Sequence, residues 1–189
     1  MIYPIIIYGH PFLRKVAVDV EKDHKGLQQL IDDLFETMYH AEGIGLAAPQ
    51  IGKTERVFVI DGNPVADEET AMAQFKKTFI NAHIIEKSGE LAPMKEGCLS
   101  IPNLKEEVKR EAHIRITYYD RNWEFHDETY DGYVARVIQH EYDHLDGIMY
   151  IDRVNPLRRS LIKGKLAAIS KGKFDSHYKT ILPGQKIKN

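Results

Sequence analysis

The chain has a single cysteine, Cys98, so no disulfide can form within it. Its 189 residues must hold together by burial alone, and a chain of that length can bury roughly 70% of its unfolded surface. No apolar run approaches the roughly 18 residues that a membrane helix needs, so no membrane partner is expected. The net charge is only −2, and DNA is not an expected partner. Internal repeats, low-complexity blocks and long Gly/Ser linkers are also absent, which excludes fibrous, mucin-like and largely disordered classes. The opening Met1-Ile2-Tyr3-Pro4 carries no basic n-region and no apolar run of signal-peptide length. With one free thiol, the expectation is a cytoplasmic chain in a reducing compartment.

What is present is unevenly spread. From Arg153 onward there are ten Lys or Arg residues and one acid, Asp175, whereas the first 152 residues hold 16 basic and 27 acidic residues. A basic end is either a solvated helix face with a frayed tail or a surface for an acidic partner such as nucleic acid. Leu27, Leu30, Ile31, Leu34, Phe35 and Met38 repeat at helical spacing, with Asp23 as the expected N-cap. Short β-rich runs follow at 57–60, 78–85, 113–119 and 123–129, the last two joined by the hairpin signal Asp120-Arg121-Asn122. The polar segment 62–74 reads as a surface loop with no part in the chemistry. A second helix is bracketed by Asp131 and Gly147, and a third starts at Asn155-Pro156. Leu157, Leu161, Ile162, Leu166 and Ile169 predict one apolar stripe on that third helix, and the chain after Lys173 reads as a loose tail. The class is α+β.

The sharpest pattern is His140-Glu141-Tyr142-Asp143-His144, an HExxH sequence on the second helix. Residues i and i+4 share a helix face, so both imidazoles can converge on one ion, with Glu141 placed to take a proton from an attacking water. Val134, Val137, Ile138 and Leu145 make this helix largely apolar, and buried His and Glu are costly unless paired or liganded. A third ligand is needed. No Glu follows Glu141, and the third-His position of the extended HExxHxxGxxH pattern is Tyr150. Asp143, Asp146 and Asp152 stay open, but the thiolate of Cys98, in Glu96-Gly97-Cys98-Leu99-Ser100, is the better soft donor. The run from Gly43 to Gly52 is small and glycine-containing. Gln50 in it is either a surface amide or a donor to a developing oxyanion.

Together Gly43–Gln50 (GIGLAAPQ), Glu96–Ser100 (EGCLS) and Gln139–Gly147 (QHEYDHLDG) resemble, in order and spacing, the motifs of the peptide deformylase family, over about residues 4–172. The resemblance implies an α+β domain over 1–172, with antiparallel sheets packed around a central HExxH helix and a C-terminal helix, followed by a basic tail over 173–189. It implies removal of the formyl group from formyl-methionine of nascent polypeptides, releasing formate, by attack of a metal-bound water. Cys98, His140 and His144 would ligate the metal, expected as Fe2+ with Zn2+, Ni2+ or Co2+ able to replace it. Glu141 would be general base and then acid, and Gln50 and the Leu99 N–H the oxyanion donors. Gly43, Ile44 and Gly45 would line the substrate strand, and Tyr133, Arg136 and Val137 the wall of a methionine pocket. It also implies a ribosome contact through Arg158, Arg159, Lys163 and Lys165. Two other readings remain beside it: an HExxH peptidase of another clan, and a ribosome- or RNA-binding module without catalysis.

Overall fold

The computed structural model describes residues 1–187, and everything below concerns those residues. The apolar run Val57-Phe58-Val59-Ile60 opens strand β3 (Val57–Asp61), which is buried along its whole length. Side chains alternate across a strand. Val57 and Val59 therefore join a core with Leu30, Leu34 and Met38 of helix α1 (Leu27–His40). Phe58 and Ile60 join another with Val134, Val137 and Ile138 of helix α2 (Gly132–Leu145). A strand covered on both faces has no polar alternation to show, hence the unbroken apolar run.

β3 lies in a five-stranded antiparallel sheet in the order β2 (Gly45–Ala47), β3, β4 (Lys76–Cys98), β5 (Ile101–Tyr119), β6 (Phe125–Asp131). The runs expected as separate short strands at 78–85 and 113–119 belong to one long β4–β5 hairpin, closed at its tip by Cys98 opposite Ile101. Asp120 Oδ1 accepts from the N–H groups of Asn122 and Glu124, closing the β5–β6 turn where the sequence places it. Helix α3 (Pro156–Ile169) starts with the Asn155 side chain accepting from the Leu157 N–H. The fold is thus mixed α and β, with an antiparallel sheet and a C-terminal helix.

Three expectations are corrected. Asp23 does not cap α1: a turn from Glu21 to Leu27 uses those residues, and Gly26 takes the cap position. The α3 stripe is narrower than its spacing suggests. Ile162, Leu166 and Ile169 are buried against β5, whereas Leu157 and Leu161 are 74% and 70% exposed, because α3 touches the body along one edge. The chain after Lys173 is docked, not loose. β7 (Thr180–Ile181) pairs in parallel with β1 (Ile5–Ile6), and Ile181 enters the core with Ile6, Ile162 and Ile169. Lys188 and Asn189, the end of that expected tail, lie outside the described residues.

Candidate active site

Two elements meet at the site. The β4–β5 tip carries Cys98 and Leu99; α2 carries His140, Glu141 and His144. α2 ends at Leu145, and Gly147 just beyond it must be glycine, because it adopts φ +69° and a Cβ there would sit 2.6 Å from the Arg14 carbonyl oxygen. The sulfur of Cys98 and one nitrogen of each histidine lie within 4.8 Å of one another. Cys98 Sγ is 3.3 Å from His144 Nε2. His140 donates from Nδ1 to Glu96 Oε2 at 2.9 Å, which leaves Nε2 as the free ligand atom. The Nδ1 of His144 and the Oε2 of Glu141 are buried without a hydrogen-bond partner. A thiolate and two oriented imidazoles fit a divalent first-row metal ion, and unmet polar atoms beside them are what such a site contains.

The two glutamates differ sharply. Burial alone would raise Glu96, but Arg110 and His140 overrule it and hold the carboxyl well below its ordinary range. Glu141 is 5% exposed with no cation bonded to it, and burial pushes it up to about 7 against the pull of His140 and His144. Burial also opposes the Cys98 thiolate, yet His144 and His140 bring the thiol down to about 5. Gly45 explains how the Glu141 carboxylate fits: a Cβ at Gly45 would lie 2.4 Å from Glu141 Oε1.

The expected residues converge. Gly43, Ile44, Gly45 and Gln50 line a cleft of about 860 Å³ from one side, and Cys98, Leu99, His140 and Glu141 from the other. Tyr133, Arg136 and Val137 also line it. His144 is buried behind them, at 2% exposure. Gln50 is buried, not a surface amide: its Oε1 accepts from Ala47 N–H at 2.9 Å, and its Nε2 points to Cys98 Sγ at 3.5 Å and Ser100 Oγ at 3.2 Å. Asp143 is bonded to Arg110 and Arg153 rather than free to ligate. Tyr150, at the alternative third-ligand position, lies parallel to His140 at 5.9 Å and donates to Leu104 O.

Some neighbours of the site were missed. Arg136 contributes more than its stem: its guanidinium bonds Glu96 Oε1 at 2.8 Å and Val108 O at 3.0 Å. Arg110, fully buried, bridges Glu96 and Asp143. A lone Arg within an alternating strand gave no sign of this. Val65, within the segment 62–74 read as a surface loop, lines the cleft and packs in one apolar cluster with Ile44 and Tyr133. Asp175–Tyr178 also line it.

The polypeptide deformylase family model matches residues 2–160. The chain belongs to the polypeptide deformylase family. A peptide deformylase from Christiangramia forsetii is 50% identical over a 193-residue alignment covering 98% of each chain. One from Cytophaga hutchinsonii is 47% identical, covering 98% of this chain and all of the other. Among solved structures, the Thermus thermophilus peptide deformylase is similar with a TM-score of 0.79 at 40% identity, covering 91% of this chain and 99% of that one. The Synechococcus elongatus enzyme, solved with actinonin, gives 0.76 at 35% identity, covering 95% and 92%. This deformylase-family chain is therefore a metal-dependent hydrolase, and neither a peptidase of another clan nor a non-catalytic binding module accounts for it.

Proposed function

We propose that the cleft removes the formyl group from formyl-methionine at the start of nascent polypeptides, with Cys98, His140 and His144 holding the metal. The observation that carries this is the buried thiolate–imidazole–imidazole cluster beside an unpaired Glu141, in a family of deformylases. Fe2+ is the expected ion, with Zn2+, Ni2+ or Co2+ as substitutes. When bound, such an ion supplies Lewis acidity to the attacking water and the formyl oxygen.

The rest falls to side chains. Glu141 accepts a proton from the attacking water and returns it to the leaving amine nitrogen. A carboxylate raised towards 7 is a base matched to neutral pH. The Gln50 amide and the Leu99 N–H donate to the formyl oxygen as charge grows on it. The edge at Gly43, Ile44 and Gly45 pairs with substrate backbone. Ile44, Tyr133, Val137 and the Arg136 stem receive the methionine side chain, and Val65 extends that wall. A formyl carbon bears no side chain, so a cramped site roofed by Gly43, Gly45 and the Cys98 loop admits it and excludes internal peptide bonds.

The catalytic machinery lies within residues 1–172, acts in the cytoplasm, and meets the ribosome through α3. On α3, Arg158 and Arg159 are ion-paired with Glu106 and Asp152, which leaves the exposed Lys163 and Lys165 as its free cations among the described residues. No helix among the described residues is long and apolar enough to cross a membrane. The deciding experiment is formate release from formyl-Met-Ala-Ser by wild type and Glu141→Ala, with metal content measured in both. Release by the wild type and a large loss in a fully metallated variant support the reading. No release by metallated, folded wild type overturns it.

A further inference from the structure

We infer that Asp175–Tyr178 is a wall of the peptide-binding cleft that reads the substrate beyond its first two residues. This rests on the formyl-peptide hydrolase reading. The segment lies beyond residue 160, outside the part of the chain that matches the family model. It is not a frayed end. Asn103 Nδ2 donates to Asp175 O at 3.0 Å, and the Tyr178 hydroxyl donates to Leu99 O at 2.8 Å. His177 Nε2 lies 3.1 Å from His40 O, so it donates there. His40 closes α1, just before the Glu42–Gly45 rim; Leu99 and Asn103 belong to the β4–β5 hairpin. The segment therefore bridges the two sides of the cleft, while Asp175, Ser176 and His177 stay exposed and face the cavity.

The Asp175 carbonyl takes the Asn103 bond, and among the described residues the Asp175 carboxylate makes no hydrogen bond or ion pair. Along this rim the charged groups are acidic, Glu42 and Asp175. Of the basic lining residues, Lys95 and Lys105 come from the β4–β5 hairpin, and Arg136, ion-paired with Glu96, comes from α2. A peptide held by its formyl end at Cys98 and Glu141 advances about 3.3 Å per residue, with side chains alternating in direction. We place one of the third or fourth side chains against the rim at Glu42 and Asp175, where a basic side chain is favoured by Coulomb attraction.

The test compares kcat/KM for formyl-Met-Ala, formyl-Met-Ala-Lys-Lys and formyl-Met-Ala-Asp-Asp, on metal-loaded wild type, Asp175→Lys and His177→Ala. The Lys-to-Asp ratio cancels partial loss of fold or metal within one preparation. The wild type is expected to favour the lysine peptide at least threefold at low salt, less at 0.5 M salt, since exposed pairs are screened. Asp175→Lys should lower that ratio threefold or more, and His177→Ala should reduce the gain in kcat/KM of either tetrapeptide over formyl-Met-Ala. A ratio and a length dependence within twofold of wild type in both variants overturn the inference. Failure of metallated wild type to release formate even from formyl-Met-Ala overturns the underlying hydrolase reading, and is visible without any variant.

Discussion

Glu96 and Glu141 are both buried carboxylates close to His140, yet their surroundings drive them apart. Glu96 faces Arg110, Arg136 and His140 and is held ionised; Glu141 faces no cationic side chain within bonding distance and sits near 7. Such a separation is what the proposed roles require, with Glu141 exchanging protons and Glu96 staying ionised. Glu141→Gln should lose about 100-fold or more in kcat while binding one metal per chain, measured by formate release and metal analysis. In the proposed role Glu141 acts as the ionised base, so activity is expected to fall as pH drops through its pKa. A bound cation favours the ionised form, so the acid limb of kcat/KM should lie at or below about pH 7. A limb well above 7 would contradict the assignment. Gly45→Ala tests the same carboxylate from outside: the added methyl meets Glu141 Oε1 and must push it aside. We expect kcat to fall tenfold or more with metal retained; wild-type kcat would show that the carboxylate has room to spare. The clustering of His140 and His144 was legible because i and i+4 share a face within one helix. The use of Gly45 was not, because that contact joins segments far apart in the chain.

At the scale of elements, legibility followed burial on two sides. β3 announced itself because both its faces are covered. The outer part of β4, residues 85–92, is mostly exposed, so its Glu, Lys and Ser residues carry no apolar period to read. The docked segment 173–181 was unreadable for a different reason. Its anchors are single contacts, Tyr178 to Leu99 and Ile181 beside β1, which no local periodicity encodes. Helix α3 shows how spacing alone overstates a stripe. Leu161 and Ile162 are neighbours of similar size, but one is exposed and the other buried. Ile162→Ala should cost about 2–5 kcal/mol of unfolding free energy. Leu161→Ala should change it by no more than about 0.5 kcal/mol. Urea denaturation of the two variants checks this, and equal losses would mean that α3 sits against the body on a different face.

Across the whole molecule one charged network ties the site to its frame. Glu96 at the end of β4, Arg110 on β5, Arg136 and Asp143 on α2, and Arg153 ahead of α3 are joined by direct ion pairs or hydrogen bonds. Arg110 and Asp143 are 1% and 2% exposed, so neither can turn to water if its partner is lost. Removing one charge from such a buried set leaves the others uncompensated, and Glu96→Gln should cost about 3–5 kcal/mol at pH 7. The pH dependence has a definite sign. Glu96 is held below its ordinary value by Arg110 and His140. Asp143 is held down by Arg153 and Arg110. A depressed carboxylate stabilises the fold wherever the unfolded chain would also be ionised, above about pH 4.3 for Glu. That stabilisation drains away as pH falls through the unfolded value towards the lower folded one. On chelator-stripped protein, the urea midpoint of the wild type should therefore drop steeply between pH 5 and pH 3. Glu96→Gln should start lower at pH 7 and lose less over the same interval. Parallel curves for the two proteins would mean that Glu96 is not the ionised hub its bonds describe. The orientation of His140 would then have to be maintained by the packing of Tyr150 against its ring.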